Sequence, residues 1–248
     1  MNEDAYKELQ WKAPPLYTAE QGNLLDLPSG EEQPNRAHIS LHAETTALVV
    51  VDVQPEYWSK CPAVRKDFPD FPENLRRTIE VCRNRKAKVL WVRADYRYSH
   101  SPWLVQFSRL HQGKTANILT EVVCDPSSED FKWEDFATPE GGEGIIAKTS
   151  WSSVTNTALI DHLRNLGIDT VLVCGLITSV CVQHSAFGIF EAGFRTLLVA
   201  DACGDRGKAR HAAALALYGN YMYEIVTSRD LEDPHTGLRK AKPVWLIL

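Results

Sequence analysis

Three reactive side chains stand where short apolar runs end. Asp52 interrupts the run Thr46–Val53, Lys148 follows Gly144–Ala147, and Cys181 lies beyond Gly175, which closes Thr170–Cys174. A thiol at a helix N-terminus sees the partial positive charge of unpaired amides, and a nearby lysine adds to it, so both favour the thiolate. A carboxylate beside that lysine stays ionised, accepts the thiol proton and can return it to a departing nitrogen. Together these residue types make an acyl-transfer set, in which the thiol of Cys181 is expected to titrate below an ordinary cysteine. Taken singly, each has a plainer reading: a strand-end carboxylate capping a turn, a solvated cation, and a small core residue. Their shared placement at strand ends favours chemistry.

The elements that must hold them alternate between β-branched runs and amphipathic stretches. Strands are expected over Thr46–Val53, Lys88–Arg93, Gly144–Ala147, Thr170–Cys174, Arg195–Ala200 and Tyr223–Thr227. Helices are expected over Pro72–Arg85, Asn156–Leu166, Cys181–Ala192 and Lys208–Tyr221, with Gly167 and Gly193 ending two of them. Runs apolar on both faces, linked by crossover helices, predict an α/β fold: a three-layer α/β/α doubly wound, Rossmann-like sandwich with a six-stranded, mainly parallel sheet. In such a sheet functional groups gather outside the carboxyl ends of the strands, where the three residues fall. Residues 1–44, rich in Pro, Glu, Asn and Gln, read as an N-terminal extension, 45–231 as the domain, and 232–248 as a C-terminal tail.

Composition narrows the function classes. The chain of 248 residues is 44% hydrophobic and 24% charged, a globular balance that suits one large domain. With 27 Lys and Arg against 32 Asp and Glu and no basic cluster, a nucleic-acid partner is not expected. No apolar run approaches the roughly 20 residues that cross a bilayer, so no membrane association is expected either. Six cysteines without a C-x-x-C pair read as reduced thiols, and the polar N-terminus has no leader pattern. Both point to a cytoplasmic protein. The turn 52–58 contains no glycine, which excludes a Gly-rich phosphate cradle.

With these motifs in hand, the sequence resembles the isochorismatase-like cysteine hydrolases, which include nicotinamidases, N-carbamoylsarcosine amidohydrolase and ureidoacrylate-type amidohydrolases. The resemblance spans Thr45–Leu231 and rests on VVVDVQPEYW (Val49–Trp58), IIAKTSWSS (Ile145–Ser153) and GLITSVCVQHSA (Gly175–Ala186). Similar text continues through EAGFRTLLVADACGDR (Glu191–Arg206), with His211 behind it. The resemblance implies an isochorismatase-like fold, Asp52 as general base, Lys148 as its cationic partner and Cys181 as nucleophile. It also implies a cis peptide between Leu176 and Ile177 and an oxyanion hole made by the backbone amides of Ile177 and Cys181.

The metal-binding branch of that family carries Asp-x-His after the second strand. Here the stretch is Asp95-Tyr96-Arg97, with His100 further on, so no metal and no cofactor are expected. Arg97 is instead a candidate to hold a substrate carboxylate, against the plainer reading of a surface arginine. Gln54, two residues past Asp52, is a candidate to orient substrate or water. Among Tyr57, Trp58, Tyr96, Trp103 and Trp151, mostly packing residues, Trp58 and Trp151 are candidates to line a planar pocket. His184 reads as structural. The leading expectation is hydrolysis of a small amide, ureido or related C–N bond through a thioester on Cys181. Vinyl-ether hydrolysis, which needs a proton donor but no nucleophile, and a silent ligand-binding member are the alternatives. A homodimer or homotetramer is expected from the family and from the apolar tail Val244–Leu248.

Overall fold

The computed structural model describes residues 41–96, 131–219, 221–233 and 238–239. Six strands, β2 (Thr46–Val51), β3 (Lys88–Ala94), β4 (Gly144–Lys148), β5 (Thr170–Leu176), β6 (Arg195–Gly204) and β7 (Glu224–Val226), form one sheet. Their order is β4-β3-β2-β5-β6-β7, and every neighbouring pair is parallel. Among the described residues five helices, α1 (Pro62–Asp67), α2 (Phe71–Arg85), α3 (Leu159–Asn165), α4 (Gln183–Glu191) and α5 (Lys208–Tyr218), flank it, which gives the expected α/β/α sandwich.

The two central strands explain the sheet. Every residue of β2 and of β5 is buried, so the apolar, largely β-branched runs TALVVV and TVLVCGL are covered on both faces. Each fully buried Val or Leu side chain contributes about 1.5–3 kcal/mol. α2 is amphipathic. Phe71, Leu75, Thr78, Ile79 and Cys82 make its buried face, Pro72 fits the first turn, and Arg83 and Arg85 complement the negative C-terminal end. It stops at Lys86, which takes the left-handed conformation with φ 70°.

Several boundaries differ from the sequence expectation. β2 ends at Val51, because Asp52 turns the chain with φ 52°. β6 runs on to Gly204 past a register shift between Val173 and Gly175 in its partner. The helix expected from Asn156 begins at Leu159, because the hydroxyl of Thr157 bonds backwards to the carbonyl of Ser153 at 2.5 Å and accepts the amide of Leu159 at 3.2 Å. Cys181 lies within a π-helical turn, Thr178–Val182, and not at the start of a regular α-helix. A small parallel ladder pairs β1 (Leu41–His42) with β8 (Leu238–Arg239), joining residues on either side of the main sheet's sequence. Among the described residues no helix is long and apolar enough to cross a membrane.

Candidate active site

Asp52, Lys148 and Cys181 meet at the carboxyl edge of the sheet. β2 delivers Asp52, whose amide still donates to the carbonyl of Val92 at 2.8 Å before the backbone turns. Lys148 is the last residue of β4, two strands away in the sheet order. Strand spacing makes that a span of about 10 Å, which the long lysine side chain and the carboxylate bridge between them. The Nζ of Lys148 reaches Oδ2 of Asp52 at 2.8 Å, with both side chains fully buried. The same Nζ lies 3.4 Å from Sγ of Cys181 and donates to the carbonyl of Ser150 at 2.9 Å. The ammonium of Lys148, the thiol of Cys181 and the backbone of Ala94 all face the carboxylate of Asp52.

Gly175 makes this convergence possible. It adopts φ 118°, and a Cβ placed on it would stand 2.1 Å from the carbonyl oxygen of Val51. Only a glycine lets β5 pass that close to β2 at the point where Asp52 begins. The peptide between Leu176 and Ile177 is cis, as the family resemblance implies, and the π-helical turn with Cys181 follows directly. The carbonyl of Ile177 accepts the amides of Val180 and Val182.

Burial governs the proton affinities. It raises the carboxyl of Asp52 above the usual carboxylate range, although the charge of Lys148 pulls it down. Burial opposes the charge on Lys148, but the facing Asp52, Cys181 and Tyr96 outweigh it and hold the ammonium above its ordinary value. The thiol of Cys181 is pushed up to about 12, chiefly by burial and further by Asp52, with Lys148 working against both. This reverses the sequence expectation of a lowered thiol. The positive charge beside the sulfur is present, but loss of water outweighs it.

The remaining candidates are distributed unevenly. The carboxamide of Gln54 is fully buried and tied to the backbone of Ala94, accepting its amide at 2.8 Å and donating to its carbonyl at 3.4 Å. It therefore splints the turn after β2 to the end of β3. Trp58 sits in an aromatic cluster, 5.1 Å from Phe71 and 5.6 Å from Phe136. Trp151 is half-exposed, and its ring stands edge-on to His184 at 5.5 Å. Arg97, His100 and Trp103 lie outside the described residues. Among the described residues no group of three or more His, Cys, Asp or Glu side chains is arranged to hold a metal.

Other residues near the site were given no functional role from the sequence, where Tyr96 and His211 were read as packing or structural. The ring of Tyr96 faces Lys148, with Nζ 5.9 Å from its centroid. Asp205 accepts the amide of Ser179, next to the start of the π-helical turn, at 2.6 Å. Thr178 and His211 meet at 2.9 Å. The aspartate and the histidine belong to the region of family-like text behind the signature, which pointed to the fold and gave no sign of this contact.

Comparison with known proteins follows the same outline. A ureidoacrylate amidohydrolase, RutB, of Methylorubrum extorquens is 24% identical over 208 residues, covering 73% of this chain and 83% of that protein. The crystal structure of a cysteine hydrolase from Pseudomonas syringae pv. phaseolicola superposes with a TM-score of 0.64 at 19% identity, over 75% of this chain and 90% of that one. That of N-carbamoylsarcosine amidase from Thermoplasma acidophilum gives 0.61 at 23% identity, over 76% and 99%. The profile of the isochorismatase domain matches residues 46–230, a span that holds all three clustered side chains, and the chain belongs to the isochorismatase family.

Proposed function

We propose that this protein hydrolyses a small amide or ureido C–N bond through a thioester on Cys181, with Asp52 as proton shuttle and Lys148 as fixed cation. The observation that carries the reading is the buried cluster in which one Nζ lies 2.8 Å from the carboxylate and 3.4 Å from the thiol. At rest the three groups are carboxylate, ammonium and thiol, with no net charge. Moving the thiol proton to Asp52 gives carboxylic acid, ammonium and thiolate, again with no net charge. Proton transfer therefore leaves the site's net charge unchanged, and the raised carboxyl of Asp52 makes it a stronger base than an exposed aspartate.

The sulfur attacks the carbonyl carbon as its proton passes to Asp52, and the amides of Ile177 and Cys181 are proposed to receive the developing oxyanion. Asp52 then protonates the leaving nitrogen, the C–N bond breaks, and a thioester remains. Water, deprotonated by Asp52, attacks the thioester; the acid leaves and the proton returns to sulfur. No redox step is required. Names among the relatives, ureidoacrylate amidohydrolase and N-carbamoylsarcosine amidase, support ureido and carbamoyl compounds as the substrate class. Arg97 is proposed to hold a substrate carboxylate, Trp58 and Trp151 to border the substrate, and Gln54 to act by holding the turn that presents Asp52. Free thiols at Cys61, Cys82, Cys174, Cys181 and Cys203 support a reducing, cytoplasmic setting. A homodimer or homotetramer taking a small-molecule substrate, without cofactor or metal, completes the reading.

A panel of ureidoacrylate, N-carbamoylsarcosine, nicotinamide and isochorismate tests it. Wild-type protein is expected to release amine or ammonia from at least one amide, and Cys181→Ala to lose that activity by several orders of magnitude while remaining folded. Turnover of an amide by Cys181→Ala, or turnover of isochorismate alone, would overturn the mechanism.

A further inference from the structure

The turn that carries Cys181 is anchored by contacts in which none of the three clustered side chains takes part. Thr178 opens that turn, and its buried hydroxyl lies 3.0 Å from the carbonyl oxygen of Gly204 and 2.9 Å from Nδ1 of His211. The next amide, that of Ser179, donates to Asp205. Two successive residues at the head of the turn are thus tied to the end of β6, and one of them also to α5. The anchor determines which form of histidine it needs. A hydroxyl carries one proton, and a carbonyl can only accept, so the proton of Thr178 points to Gly204 and Nδ1 of His211 must be the donor.

His211 is therefore the neutral tautomer protonated on Nδ1. Among the described residues its Nε2 is buried without a hydrogen-bond partner, and the ring packs on Phe68 with centroids 5.0 Å apart. An apolar residue would fill this space without burying an unpaired nitrogen, which is unfavourable. What the histidine adds is the Nδ1–H bond to Thr178.

We propose that His211 is a positioning residue for Cys181, holding Thr178 and with it the turn that keeps the thiol beside Lys148 and Asp52. The proposal rests on the reading of Cys181 as the nucleophile. A misplacement of about 1 Å in such a group costs on the order of 100-fold in rate, so a single anchoring bond has a measurable effect.

Four substitutions separate positioning from packing. Thr178→Val and His211→Leu remove the bond at similar size, whereas Thr178→Ser and His211→Asn keep a hydroxyl and a donor. With the panel amide that the wild-type protein hydrolyses fastest, the first two are expected to lower kcat by about 10- to 100-fold with KM within about threefold. The second two should stay within about threefold of wild type in both constants. The double variant Thr178→Val/His211→Leu should be no slower than its slower parent, because both cut the same path. Long-range 1H–15N correlation on the wild-type protein should show His211 protonated on Nδ1 alone at neutral pH. An Nε2–H tautomer would overturn the proposal, as would wild-type kcat in both Thr178→Val and His211→Leu whatever their Tm. Should His211→Leu not fold, Thr178→Val decides. Activity in Cys181→Ala removes the underlying reading, whereas an inactive Cys181→Ala beside a fully active Thr178→Val removes the positioning role alone.

Discussion

Asp52 and Lys148 pull the thiol of Cys181 in opposite directions, and this opposition is open to measurement. The carboxylate raises the thiol and the ammonium lowers it, on top of the larger effect of burial. Asp52→Asn should therefore bring the thiol down from about 12 and speed alkylation by iodoacetamide at pH 8, by roughly tenfold per unit of pKa. Lys148→Met should drive the thiol further up and slow alkylation. Both should lose amide hydrolysis, the first for want of a proton carrier and the second for want of the cation. Peptide mass spectrometry with half-buried Cys61 as internal reference reads the rates, and shifts of the same sign in both variants would contradict this account. The identities of these three residues were legible because each follows an apolar run in a parallel-sheet pattern. The sign of the thiol shift was not, because spacing reveals the nearby lysine but not the depth of burial that outweighs it. The contact between Thr178 and His211 was hidden for a related reason: it joins the π-helical turn to α5, and nothing in either segment alone announces it.

At the level of elements, Gly175 and Gly167 make a controlled comparison. Both have positive φ, but a Cβ at Gly175 would strike the backbone of β2, whereas at Gly167 it would meet nothing within 4 Å among the described residues. Gly167→Ala should cost about 1–2 kcal/mol, the ordinary penalty for the left-handed region. Gly175→Ala should cost more than about 4 kcal/mol or prevent folding, since strands must separate to accept it. Urea unfolding midpoints at constant m-value compare the two, and equal costs would refute the close approach. The same contrast explains which parts of the fold the letters disclose. Gly167 and Gly193 end helices and could be placed by local pattern. The reach of β6 to Gly204 depends on pairing with β5 beyond a register shift, and the pairing of Leu41–His42 with Leu238–Arg239 depends on chain ends meeting. Neither is a local property.

For the molecule as a whole, His211 couples stability to acidity. Burial holds its imidazole down to about 4, below the ordinary 6.5, so between these values the unfolded chain binds a proton that the folded chain refuses. The stabilisation is fully present above pH 6.5 and is lost as pH falls toward 4, about 3 kcal/mol in all. The raised carboxyls of Asp52 and Asp201 act with the opposite sign, since their folded forms hold protons more tightly. Thr178 and the ring of Phe68 face the imidazole and bring no charge to it. His211→Asn has no such proton to bind, so the difference between its unfolding free energy and that of wild type should shrink from pH 7 to pH 4.5. A constant difference would show that His211 titrates normally. The strand order has a consequence of another kind, in time. β2 sits between β3, which follows it closely in sequence, and β5, whose Thr170 pairs with Thr46 across about 120 intervening residues. At a ribosomal pace of roughly 5–20 residues per second, the most apolar strand of the sheet leaves the tunnel on the order of ten seconds before its second neighbour is even synthesised. During that interval one flank of TALVVV is an unpaired template, and the nascent chain depends on chaperone cover or on its own early helices to keep that flank from the wrong partner.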